Sequence, residues 1–269
     1  LCACITEREC HMILKPFNGP FWAMLFLIAA AIVLIWHSSQ EKTEAQRARF
    51  LCGLSFFNIL LFFSYKFALS RDVGFLSLSG LTRFNWLSEL PLQLCNINLF
   101  LIPLGILTKK RQILGFAFFV APLGALLALI FPEASFRDFS PFLPRMLGYY
   151  LTHSLLIVCG LSLSSLGFYT PRVKDEPGIL ALFLLLGVAA HLVNTLLRQG
   201  PCPQANYFFT YGADISALNL LWKLIPKPFL FELPALPVLL GYMSLVNLIY
   251  RKFELLGARR RARPLVEEG

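Results

Sequence analysis

WLSELPLQLCNINLFLIPLGIL, residues 86–107, is apolar and long enough to cross a bilayer, yet it contains Glu89, Gln93, Asn96 and Asn98. Polar groups at membrane depth are costly, so each needs a partner or a task. Read as one helix at about 100° per residue, the stretch puts Gln93 about 40° from Glu89 and Asn96 about 20° to the other side. These three form a polar stripe. Cys95 falls roughly 120° off the stripe and Asn98 about opposite it. Pro91 removes one helix hydrogen bond and predicts a kink within the span.

The rest of the chain agrees with a membrane reading. Of its 269 residues, 57% are hydrophobic and 14% charged, where a soluble domain carries about 25% charged residues. The mean hydropathy is +0.66. The fold class expected is therefore all-α, a polytopic transmembrane helix bundle. The net charge of +9 lies mostly in short loops and the tail, where it orients a membrane protein; it does not argue for nucleic acid. Membrane lipids are the expected partners. Seven cysteines are scattered without zinc-ligand spacing, and neither a metal nor a cofactor is expected. Cys52, Cys95 and Cys159 lie in apolar spans, where a thiol ordinarily serves as a small packing residue. Only Cys202 falls in a large loop, which gives no disulfide framework.

Three regions are expected: an N-terminal tail over 1–16, a transmembrane domain over 17–250 and a basic tail over 251–269. MILKPFNGPFW from Met12 reads like a natural start, so Leu1–His11 is read as a translation extension or a weak tail. About seven spans are predicted: Phe17–Trp36, Phe50–Leu69, Trp86–Leu107, Ile113–Phe131, Met146–Phe168, Ile179–Leu197 and Leu233–Tyr250. Between the last two, Arg198–Glu232 reads as an interfacial or re-entrant segment, turn-rich first and then broken by Pro226 and Pro228, with Trp222 and Lys223 at headgroup level. No internal repeat suggests an inverted-repeat transporter. Lys and Arg number 14 on the side of the C-terminus and 9 on the other. That excess predicts a multi-pass protein of the cell membrane with its N-terminus outside and its C-terminus cytoplasmic.

This threading puts ionisable groups from four spans at one depth: Tyr65 and Lys66, then Glu89, then Tyr149, Tyr150 and His153, then His191 and Arg198. Asn194, Thr195 and Arg198 lie within about 60° of His191 on their helix. Lys66 and Arg198 suit snorkelling, Asn58, Asn194 and Thr195 suit interhelical hydrogen bonding, and Glu89 suits an ion pair with Lys66. The histidines weigh most, since an imidazole moves protons near neutral pH.

Three stretches, LPLQLCNINLF (90–100), YYLTHSLLIV (149–158) and Asn194 followed by ANYFF (205–209), resemble the YwaF family of bacterial integral membrane proteins, which has distant animal relatives. The family typically shows Leu-Pro-Leu-His-Leu-Cys; here Gln93 stands where the His would be. Asn206 and Tyr207 are kept, and the residues after them depart from the pattern. The resemblance implies a polytopic fold and, through the animal relatives, cysteine-dependent acyl transfer on ether phospholipids. Those relatives carry their nucleophile in Asn-Pro-Cys-His. Aligned on Pro91, that Cys falls on Leu92 and its His on Gln93, so Cys95 is not the equivalent residue.

Three functions compete at this stage. In a lipid enzyme, His153 is general base or acid, Glu89 orients it and Cys95 is the candidate nucleophile. Gln93, Asn96, Tyr149, His191, Asn194, Asn206 and Tyr207 are the candidate substrate-binding residues. A metal-dependent variant would use Glu89, His153 and His191. The same cluster would hold a polar solute in a transporter or receptor-like binder, and would serve folding alone in a structural protein.

Overall fold

The computed structural model describes residues 13–78, 82–132, 136, 139–212 and 216–262. The N-terminal tail with Cys2, Cys4, Cys10 and His11, and the end of the basic tail from Arg263, lie outside the described residues. The helices in chain order are α1 (Gly19–Ser38), α2 (Glu44–Leu69), α3 (Val73–Leu78), α4 (Leu94–Thr108), α5 (Arg111–Ile130), α6 (Pro144–Ser165), α7 (Glu176–Arg198), α8 (Ser216–Leu224) and α9 (Leu236–Ala262). Among the described residues, six segments are long and apolar enough to cross a membrane: α1, α2, α5, α6, Val173–Arg198 and Leu230–Phe253. The protein is a polytopic, all-helical membrane protein.

Local chemistry sets the helix starts. Asn18 caps α1 by accepting from the Phe21 N–H, and Thr43 with Gln46 forms a capping box that starts α2. That box carries α2 six residues below the predicted start, into the polar EAQRAR stretch, because the cap satisfies amides that would otherwise need water. Pro144 opens α6, a position where its missing N–H costs nothing.

The largest departure is in the predicted third span. Trp86–Ser88 forms a 3-10 turn and the helix begins only at Leu94, with Gln93 as its N-cap. Pro91 does not kink a helix; it stops one from forming, since proline pushes Leu90 out of helical geometry and donates no hydrogen bond. Glu89 and Gln93 therefore share no helical stripe with Asn96. The α4 helix has 15 residues, about 22 Å against a hydrocarbon core of about 30 Å. Irregular backbone completes that passage, and such backbone is tolerated near a membrane only where protein satisfies it.

The centre of the bundle is α5 and α6. Their apolar windows are the most buried of the six, whereas α1 and Leu230–Phe253 are mostly exposed and suited to lipid. The α6 helix packs against α1, α2, α4 and α5. Two glycines allow it: an added Cβ on Gly160 would lie 2.8 Å from the Pro122 ring, and one on Gly148 would lie 2.1 Å from the Tyr65 Cβ. The described parts of the long connections that follow α2, α5 and α7 lie at one end of the bundle, and the tight turns lie at the other.

Candidate functional site

The ends of α2, α4 and α6 meet under the long connections, and α7 joins them through the loop that holds Tyr207 and Phe208. There Lys66 of α2 pairs with Glu89 from the turn before α4. The Lys66 side chain is 9% exposed and that of Glu89 20%, so the pair is largely out of water. The Lys66 ammonium also sits 5.5 Å from the Phe62 ring centre and 5.0 Å from that of Tyr65, a cation–π setting that offsets part of its desolvation.

Cys95 is in the first turn of α4. It lies within electrostatic range of Tyr65, as Lys66 does of His153. Its Sγ lies 3.5 Å from the Asn96 Oδ1, and its backbone faces Gly124 of α5. The first turn of a helix favours a thiolate. The objection that Cys95 lies off the Glu89 stripe disappears, because Glu89 is not on that helix.

His153 is buried in α6. Its Nδ1 is 2.8 Å from the Tyr149 carbonyl. A carbonyl only accepts, so Nδ1 carries the proton of the neutral ring and Nε2 keeps its lone pair. The Tyr149 ring stands 4.4 Å from the His153 ring and stacks at 4.7 Å on Phe136. Its hydroxyl donates to the Ala128 carbonyl at 2.6 Å, tying the His153 wall of α6 to α5.

The remaining predicted residues hold a loop. Asn194 of α7 donates to the Tyr207 carbonyl and to Thr210 Oγ1, and accepts from the Tyr207 N–H at 2.8 Å. Gln93 donates to the Asn206 carbonyl and accepts from the Phe208 N–H. The Tyr207 hydroxyl donates to the Leu87 carbonyl at 2.6 Å and accepts from the Leu90 N–H, which satisfies the irregular backbone before α4. Asn206 closes its own loop by donating to the Gly212 carbonyl and accepting from the Tyr211 N–H. His191 meets Thr210 Oγ1 at 3.2 Å and stacks on Tyr211. Arg198 donates to the Ala205 carbonyl and lies over the Tyr211 ring.

Tyr207 and Phe208 are thereby wedged between α4 and α7, against Leu94, Ile97, Ala190 and Val193. Phe208 and Phe209 adopt left-handed backbone, φ 56° and 59°. Two adjacent non-glycine residues in that region are strained, and such strain persists only where surroundings over-determine it. Burial pushes the Tyr207 phenol up to about 12, so its hydroxyl stays a donor to Leu87 at all ordinary pH. Asn194→Ala is expected to cost about 1–3 kcal/mol, because it orphans buried backbone groups of Tyr207. A lowered melting temperature, with faster proteolysis within 201–212, is the check.

The structure thus joins Lys66, Glu89, Cys95, Asn96 and His153 at one end of the bundle. It sets Gln93, His191, Asn194, Asn206 and Tyr207 around the adjoining loop, with Tyr207 as the link. Among the described residues no three His, Cys, Asp or Glu side chains converge on a metal-ion position, so Glu89, His153 and His191 do not form the two-histidine, one-carboxylate set. Sequence reading missed Thr210 and Tyr211, the partners of α7's polar face; their nearness to Asn206 and Tyr207 in a turn-rich stretch was the available signal. It also missed the Arg145–Asp72 pair at 2.9 Å.

Comparison with known proteins corrects the family read from three short motifs. The family model that matches is that of the TMEM164 family, over residues 14–250, and nothing shows membership of the YwaF family. Short apolar motifs with a Pro, Asn or His arise readily in membrane helices, so they carry less than a match along most of the chain. The chain matches no curated protein and no solved structure. Helices α1 to α8, α9 as far as Tyr250 and the wedged loop all fall within one matched stretch: the chain belongs to the TMEM164 family.

Proposed function

We propose that this protein acts on membrane lipids by acyl transfer, with Cys95 as nucleophile and His153 as general base. The observation that carries this reading is the place of Cys95: the first turn of α4, within electrostatic range of Tyr65, whose chain neighbour Lys66 pairs with Glu89. A helix amino end favours the thiolate. The tautomer of His153 leaves Nε2 able to take a proton. In the forward step the Cys95 sulfur attacks an acyl-ester carbonyl while its proton passes to Nε2. Collapse breaks the ester C–O bond, and the leaving lipid alcohol takes that proton. The products are an acyl-thioester on Cys95 and a lysolipid. A second lipid hydroxyl then attacks the thioester, the acyl group moves to it, and the thiol returns. The substrate stays within the bilayer. By the Lys and Arg bias, the site end faces outside the cell membrane and the C-terminus the cytoplasm.

Intact-protein mass spectrometry after incubation with a diacyl phospholipid tests this. The wild type is expected to gain an acyl mass that hydroxylamine removes, and Cys95→Ala to gain none. His153→Ala should acylate about 10²–10⁴-fold more slowly. Equal acylation of Cys95→Ala and wild type, or none in a folded wild type, overturns the reading.

A further inference from the structure

At the opposite end of the bundle, a cavity of about 210 Å³ opens between the turns. Its polar lining is Glu44, Lys109 and Arg111, and its apolar floor is Ile106, Leu114 and Phe168. We infer that this cavity binds a phosphate group of the kind a phospholipid headgroup carries, with Lys109 and Arg111 as its cationic contacts.

Four observations support it. First, Lys109 ends α4 in left-handed backbone, φ 55°, a position that favours glycine or asparagine. A lysine there goes against local preference, and such departures mark functional positions. Second, the partner of Lys109 is easily replaced. Its Nζ is 2.7 Å from Glu44, but the two side chains are 74% and 62% exposed, and exposed pairs hold weakly. A phosphate displaces Glu44 and accepts from Lys109 in its place. Third, the cavity wall is basic beyond its lining. Arg47 lies 3.8 Å from where a Cβ on Gly167 would stand, donates to the Leu166 carbonyl at 3.0 Å, and has a buried Nε–H with no protein acceptor. Arg111 is anchored by Asp175 and the Thr170 carbonyl, which sets its guanidinium in place as a planar fork suited to phosphate oxygens. Fourth, α5 begins beside the cavity without a side-chain cap, and its amide dipoles add to the attraction for an anion. An apolar floor under a basic rim, at the bundle end where turns are tight, matches a headgroup with the start of its acyl chains below.

The test uses the full chain in mild neutral detergent. Native mass spectrometry measures binding of a short-chain phosphatidate against a diacylglycerol of the same chains, with inorganic phosphate as competitor. Phosphatidate is expected to bind and diacylglycerol not. Lys109→Asn keeps a residue that tolerates left-handed backbone and should weaken binding about tenfold; Glu44→Gln removes the competing carboxylate and should tighten it severalfold, about 3- to 10-fold. Competition by inorganic phosphate would make the ligand a soluble phosphate, and failure to compete a lipid headgroup; either supports a phosphate site. Unchanged affinity in both folded variants, or equal binding of diacylglycerol, overturns it.

Discussion

Glu89→Gln is expected to destabilise the protein by about 3–5 kcal/mol, the cost of leaving a buried charge without its counter-charge. The charge left behind is the Lys66 ammonium, 9% exposed and packed between the Phe62 and Tyr65 rings. Those rings offset part of the charge and do not replace a carboxylate. Lys66→Met in the wild-type background should cost less, since Glu89 has the greater access to solvent. Combining Lys66→Met with Glu89→Leu should recover most of the loss, because an apolar pair of similar volume leaves no charge to desolvate. Thermal melts of these proteins in one detergent, with the single Glu89→Leu added to close the cycle with Lys66→Met, give the coupling energy directly. A Glu89→Gln protein that melts within a degree or two of wild type would show the pair to be well solvated. If the double variant is stable yet fails to acylate, the pair serves the Cys95 site as well as the fold.

Gly148→Ala should cost at least the upper end of the about 1–3 kcal/mol typical of overpacking. The new Cβ would stand 2.1 Å from the Tyr65 Cβ and 2.6 Å from its Cγ. The Tyr65 Cβ is fixed to the α2 backbone and cannot rotate aside, so α2 and α6 must separate. Tyr65 adjoins Lys66, and the separation moves the ion pair with it. Gly241→Ala is the control, since nothing lies within 4 Å of its added Cβ. It should be neutral or slightly stabilising, because alanine gives up less backbone freedom in a helix. A melt in which both variants match wild type would mean that α2 and α6 are not in contact at Gly148.

Both predictions concern the end of the bundle that the sequence had marked. Intramembrane Lys66, Glu89 and His153 stand out in an apolar chain by composition alone, and antiparallel threading brings spans two, three and five to one depth. The pairing of Lys66 with Glu89 was legible for that reason. The local geometry was not. A helix drawn through Pro91 put Glu89 and Gln93 on a stripe with Asn96 and turned Cys95 away. The break at Pro91 ends that phase, and Cys95 becomes a first-turn residue of α4.

The loop residues divide in the same way. Asn194, Asn206 and Tyr207 were recognisable as polar groups that need partners. Their partners are mostly backbone atoms of Leu87, Leu90, Tyr207 and Gly212, and a sequence pattern holds no record of which carbonyl a side chain will reach. The wedge of Tyr207 and Phe208 between α4 and α7 depends on contacts over 100 residues apart in sequence.

The sequence by itself determined that the chain is helical, that it crosses a membrane repeatedly and where nearly every span lies, because a hydrocarbon solvent allows few alternatives to apolar helices of about 20 residues. Only the tertiary structure decided that the third passage is a short helix completed by irregular backbone, that α5 and α6 form the buried centre, and that the polar residues of α7 clamp a loop. Those outcomes depend on close approach at Gly148 and Gly160 and on hydrogen bonds between distant segments, which depend on packing rather than on local preference.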